Sequence, residues 1–261
     1  MVSSYRSQFP AQFLARLVVA GWLSVVAVPA LAYVLPAGPV LRRTVDHRDD
    51  LRLAQWRVEG ALTFFGALAT EAFAAGVTNA QGQVDGIWSV KPPGRCRLDL
   101  GTPGAPTLAT VQSRGKVRQE GPALAPVSVL LEHVCALFAI RAAGAGEGTA
   151  ALERHLRGLQ IDVTETSLGR LGRQVAYVIG SNQASSAQFW VFKDSFLPAR
   201  LKFSDASGTA WDIQFIDYAN PSAGQAFPRR VEVLRGGELS IRFATKSADL
   251  RAALSDKIFG P

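Results

Sequence analysis

Residues that carry chemistry are scarce in this chain. Among 261 residues there are two cysteines, three histidines and one methionine. His47, His133 and His155 each fall in a helical pattern, and none has a second histidine at metal-ligand spacing. With neither HExxH nor CxxC present, no metal site is expected. No G-x-S-x-G marks a nucleophile elbow. The "GAGEG" at 144–148 follows a helical pattern rather than a strand and lacks a following Lys-Ser/Thr. It reads as a linker, not a phosphate loop. Asp194, Asp205, Asp212 and Asp217 lie in strand and turn segments with nothing to pair them, so a glycosidase-type acid pair has no support. These absences argue against an enzyme and against any cofactor.

Charge is sparse as well. Charged residues make up 19% of the chain, and the net +7 is scattered rather than gathered into a stripe, which argues against nucleic acid as a partner. The apolar run "LVVAGWLSVVAVPALA", 17–32, is shorter than the ~18 residues of a spanning helix and contains Pro29. Arg6 and Arg16 precede it with no acidic residue before Asp46, and it ends in Ala30-Leu31-Ala32. Residues 1–32 therefore read as a signal peptide cleaved after Ala32, with an uncleaved anchor as the alternative. The expected location is the periplasm. Residues 33–261 would form a single domain. Removing the two arginines from 28 basic residues leaves 26 against 21 acidic ones, a mild +5. Both cysteines lie in this exported part. An oxidising compartment permits a Cys96–Cys135 disulfide. Two free thiols acting as small hydrophobes, one on a strand and one on a helix, are the alternative.

Alternation is what the sequence has in plenty. After a helical stretch at 38–54, "WRVEGALTF" sets Trp56, Val58, Leu62 and Phe64 against Arg57, Glu59 and Thr63, the pattern of a half-buried strand. Further strands are expected at 67–76, 84–91, 95–100, 107–112 and 115–120, punctuated by "KPPG" and "GTPGAP". Pro126 then opens a helix to 139, and a second short helix spans 149–159. Strands resume at 161–167, 173–180, 187–193, 199–204, 210–218, 229–235 and 238–244. Short turns between them mean an antiparallel meander. The fold class expected is mainly β (α+β). A strongly curved antiparallel sheet of roughly ten strands would have helices covering its concave face.

The aromatic strands of "AQFWVFKDSFLPARLKF", 187–203, belong to a larger set sharing inward parity. It comprises Trp56, Phe64, Trp88, Phe189, Val191, Leu201, Phe203, Trp211, Ile213, Phe215, Val231, Val233, Ile241 and Phe243. By pattern alone these are the residues of an ordinary β core, and the lining of an apolar ligand cavity is the alternative. On the central helix Val127, Leu130, Leu131, Val134, Leu137 and Phe138 share one stripe.

"QFWVFKDSFLPARLKFSD", "WDIQFIDYAN" and "FPRRVEVLRGGELSIRF", with Phe227-Pro228 opening a later strand, resemble the C-terminal half of the lipoprotein-localisation carrier superfamily of LolA/LolB type. "WRVEGALTF" and "GIWSVKPPGRCRLDL", the latter similar to the family's Pro-x-x-x-x-Arg strand, extend the resemblance over about 38–245. It implies a half-barrel with a helical lid that binds lipoprotein acyl chains, or another lipid, in the periplasm. The helical stripe from Val127 to Phe138 would be the lid's inner face and the strand set its cavity. The implied partners are an inner-membrane export complex and an outer-membrane acceptor, with a monomeric carrier between them. Arg97 is the closest match to an arginine that latches the lid in such carriers. Alternation sets Arg95, Arg97 and Asp99 opposite Cys96, Leu98 and Leu100, so Arg97 is either inward or a surface residue. A lipid sensor controlling a signalling partner on the same fold is the first rival reading, and an enzyme on lipid or glycan the second.

Overall fold

In the computed structural model, residues 34–141 and 146–260 are described; residues 1–32, expected as a signal peptide, lie outside them. Twelve strands form the sheet: β1 (Trp56–Phe64), β2 (Gln83–Lys91), β3 (Arg95–Thr102), β4 (Ala105–Ser113), β5 (Lys116–Glu120), β6 (Thr166–Leu171), β7 (Gln174–Ile179), β8 (Gln188–Phe192), β9 (Pro198–Ser204), β10 (Ala210–Ile216), β11 (Arg230–Arg235) and β12 (Glu238–Asp249). Among the described residues four α-helices accompany it: α1 (Ala37–Asp50), α2 (Gly66–Ala74), α3 (Ala125–Phe138) and α4 (Glu147–Gly158). A 3-10 turn, Asp256–Phe259, ends the described chain.

The strand order is β5-β4-β3-β2-β1-β12-β11-β10-β9-β8-β7-β6. Two meanders, β1 to β5 and β6 to β12, meet where β1 pairs antiparallel with β12. Leu62 faces Phe243 and Phe64 faces Ile241 across that seam. The register shifts between Glu59 and Gly60. A Cβ on Gly60 would lie 2.5 Å from the Phe243 ring and 2.4 Å from the Ala244 carbonyl oxygen, so glycine is what lets this ring cross β1.

The expectation of a strongly curved half-barrel is overturned. The sheet is open, with β5 and β6 as its two edges at opposite ends of the ladder, and it is neither closed nor rolled around a hollow. The sequence shows a broad apolar face but not what covers it. Here α1, α3 and α4 lie on the face and bury it, which removes the need for the sheet to curl over itself. The segment 67–76, expected as a strand, is helix α2. "GALATEAFA" is rich in alanine, and its buried Leu68 and Ala72 are four apart, a helical spacing that a short apolar run conceals. The strand expected at 161–167 begins only at Thr166. Before it, Ile161 and Val163 join the core as loop residues.

Candidate functional site: the apolar interior beneath helix α3

Helix α3 starts where the Gln119 side chain accepts from the Leu124 N–H (3.0 Å) and Pro126 stands in the first turn. Its apolar residues recur every three or four positions, so one stripe faces the sheet. Val127, Leu130, Leu131, Val134, Leu137 and Phe138 are all buried there. Below them, strand alternation points Trp56, Phe64, Trp88, Phe189, Val191, Leu201, Phe203, Trp211, Ile213, Phe215, Val231, Val233, Ile241 and Phe243 to the same side. The structure brings all twenty into one buried cluster. They fill the space themselves. Phe138 lies 5.3 Å from Phe215, ring centre to ring centre, and Trp88 lies 6.1 Å edge-on from Phe243.

Phe227, in the loop before β11, is the hub that strand parity missed. Its ring meets Trp56 (5.6 Å), Trp88 (5.9 Å), Phe138 (5.3 Å) and Phe243 (6.1 Å). The Phe-Pro pair was visible in the sequence, but no periodicity assigns a loop residue to a face. The interior also holds two unmatched donors. The indole N–H groups of Trp56 and Trp88 are buried and have no hydrogen-bond partner. A buried donor left unmet costs about 1–3 kcal/mol.

The two ends of α3 are held differently. At the C-terminal end a disulfide joins Cys135 to Cys96 on β3, with their Cα atoms 5.8 Å apart. Arg48 of α1 adds a second tie. It donates to the Phe138 carbonyl (2.9 Å) and to that of Ala226 (2.7 Å), and its guanidinium sits 5.1 Å from the Phe138 ring centre. Burial pulls the Arg48 pKa down to about 10. The spacing Ala37, Val40/Leu41, Thr44/Val45, Arg48 puts it on the buried stripe. At the N-terminal end no such tie is present among the described residues: beyond apolar packing, the neutral Gln119 side chain bonds the Leu124 backbone at the helix start.

Arg97 does not latch α3. It lies on the other face of β3, paired with Asp99 (2.7 Å), and donates to the Ile258 carbonyl (3.0 Å). Burial raises the Asp99 pKa, a shift that Arg97 opposes. Arg97 thus secures the C-terminal tail, whose Ala252, Leu254 and Phe259 pack with Val111 on that outer face.

His133 on α3 and His155 on α4 meet at 3.4 Å, with the His133 ring edge-on to Phe203. Burial pushes His133 down to about 3, with His155 adding to the shift, and burial alone pushes His155 to about 4. Both are neutral packing groups at physiological pH. Among the described residues no group of three or more His, Cys, Asp or Glu side chains could hold a metal ion.

No protein-family model matches the sequence, and no curated protein matches it. Among solved structures the chain is similar to a LolA superfamily protein from Nitrosomonas europaea, with TM-score 0.50 and 14% identity over 87% of this chain and 98% of that one. A DUF1329 family protein from Desulfovibrio piger aligns at TM-score 0.42 and 15% identity, over 86% and 97% of the two chains. MucB aligns at TM-score 0.33 and 11% identity, and the chain spans 62% of its length. At such identities the likeness concerns the backbone alone: an antiparallel sheet covered by helices, of the kind found in the LolA superfamily.

Proposed function

We propose that the protein is an exported, periplasmic carrier that takes acyl chains of lipoproteins, or of a related lipid, beneath helix α3 and passes them toward the outer membrane. It would receive them from an inner-membrane export complex, give them to an outer-membrane acceptor, and catalyse no reaction. The observation that supports this most is the predominantly apolar interface between α3 and the sheet, closed by a helix fixed covalently at one end only. The likeness in fold to a LolA superfamily protein points the same way.

The structure is the closed form, so a ligand must exchange with the helix rather than fill a hollow. Lifting the N-terminal part of α3 exposes Val127, Leu130, Leu131 and Val134, at about 6–12 kcal/mol for four such side chains. A chain of ~14 methylenes gains about 11 kcal/mol on leaving water. The two nearly cancel. That balance suits a carrier, because loading and release both stay within reach of a modest push from a partner. The unmet indole donors of Trp56 and Trp88 give the site one polar preference: the ester carbonyl at the head of an acyl chain would accept from them.

The test is native mass spectrometry of delipidated protein titrated with a palmitoylated peptide, beside the same peptide without the chain. One acylated peptide should bind per protein, and the unmodified peptide none. Absence of any acyl-dependent complex would end the carrier reading.

A further inference from the structure

Beside the C-terminal end of α3 lies a cavity of about 430 Å³, walled by Arg48, Arg52, Asp49, Leu53 and Arg141, with Ile140 beside them. Three guanidiniums against one carboxylate leave an excess of two positive charges in one concavity. Arg48 is the buried member, 6% exposed. Its NH groups give to neutral carbonyl oxygens, and its buried Nε has no hydrogen-bond partner. Its charge is therefore poorly compensated, in agreement with the lowering of its pKa by burial. Arg52 and Arg141 are exposed at the rim. Leu53 and Ile140 supply an apolar wall beside the cations.

We infer that this cavity binds a phosphate monoester or diester, the anionic head of a ligand whose chain lies under α3. Arg48 connects the two places. Its guanidinium stacks over Phe138, the last residue of the helix's inner face, while the side chain lines the cavity. Guanidinium forks match phosphate oxygens, and the exposed Arg52 and Arg141 stand at the rim to supply them while Arg48 adds positive charge from the buried wall. The inference rests on the carrier reading for its chain-binding half. An isolated phosphate ion, which shares the recognising chemistry, is the other source of such a group.

The experiment measures binding of three probes to the full oxidised chain by isothermal titration: dodecyl phosphate, dodecyl maltoside and inorganic phosphate. Each is measured on the native protein and on an R52Q/R141Q variant. Both substituted side chains are exposed, so the fold should survive, and a thermal melt checks this. Dodecyl phosphate should bind at least tenfold more tightly than dodecyl maltoside. The variant should lose about tenfold for dodecyl phosphate only, and added salt should act on that arm alone. If inorganic phosphate binds as tightly as dodecyl phosphate and depends on the two arginines, the anion site stands and its ligand is the free ion. Equal binding of dodecyl phosphate to native protein and variant overturns the inference while leaving the carrier reading intact. Failure of both dodecyl probes, with arginine-dependent binding of inorganic phosphate retained, sinks the carrier reading and not the anion site.

Discussion

Strand β3 is covered on both faces, and the two covers are built from opposite materials. Cys96, Leu98 and Leu100 face α3, which is held to the strand by a covalent bond and a continuous apolar interface. Arg95, Arg97 and Asp99 face the C-terminal tail, which is held by the ion pairs of Asp256 with Lys91 and Arg95, one carbonyl contact and a small apolar cluster. Area removed from water and chain entropy dominate on the first face. Screened electrostatics dominate on the second. The lesson is that the stronger cover is the proposed moving part. Its strength is concentrated at one end, so the other end can lift while the helix stays attached.

The largest expected effect comes from removing the covalent tie. The bridge spans 39 residues of sequence. A Cys96→Ala/Cys135→Ala variant should lose about 4 kcal/mol in urea unfolding on loop-entropy grounds. A loss as small as that of an outer-face variant would erase the distinction between the two covers.

Acid should loosen the inner cover next. His133 and His155 titrate at about 3 and about 4 in the fold, against 6.5 when unperturbed. Their folded pKa values are depressed, so between 6.5 and about 4 the unfolded chain binds more protons. Stability is full above 6.5 and falls with pH through that window, by on the order of 3 kcal/mol for the pair at about pH 5.5. Melting curves at steps from pH 7 to pH 4 should show this slope, and a His133→Leu/His155→Leu variant should flatten it. A variant that keeps the full slope would assign acid sensitivity to other groups.

The outer cover gives the smallest effects. Arg97→Ala removes the tail's carbonyl contact and the partner of Asp99, and should cost about 1–2 kcal/mol in urea unfolding. It should also release the amides of 252–259 to hydrogen exchange. Asp256→Asn breaks the exposed pairs with Lys91 and Arg95 and should leave the melting temperature unchanged. Loss of protection in α3 rather than in the tail on Arg97→Ala would restore this arginine as a lid latch.

Period-two alternation made most of the sheet legible, because strand parity depends only on the local chain. It recovered the inward residues of β1 and of β8 to β12, and the helical stripe of α3 equally. What it could not carry is anything set by distant neighbours. A broad apolar face looks the same whether a sheet curls over itself or helices lie upon it, and the second holds here. Phe227 is a hub because four rings from separate elements converge on its loop. Arg97 shows the limit most plainly: alternation already set it opposite Leu98, and the resemblance to latched carriers pulled it the other way.

Hydrogen exchange along α3, with and without a palmitoylated peptide, tests the central claim most directly. Binding should deprotect the amides from Val127 to Val134 as that end of the helix leaves the sheet. Those beside Cys135 should stay protected. Bound peptide with α3 unchanged along its whole length would place the acyl chain elsewhere and contradict the account.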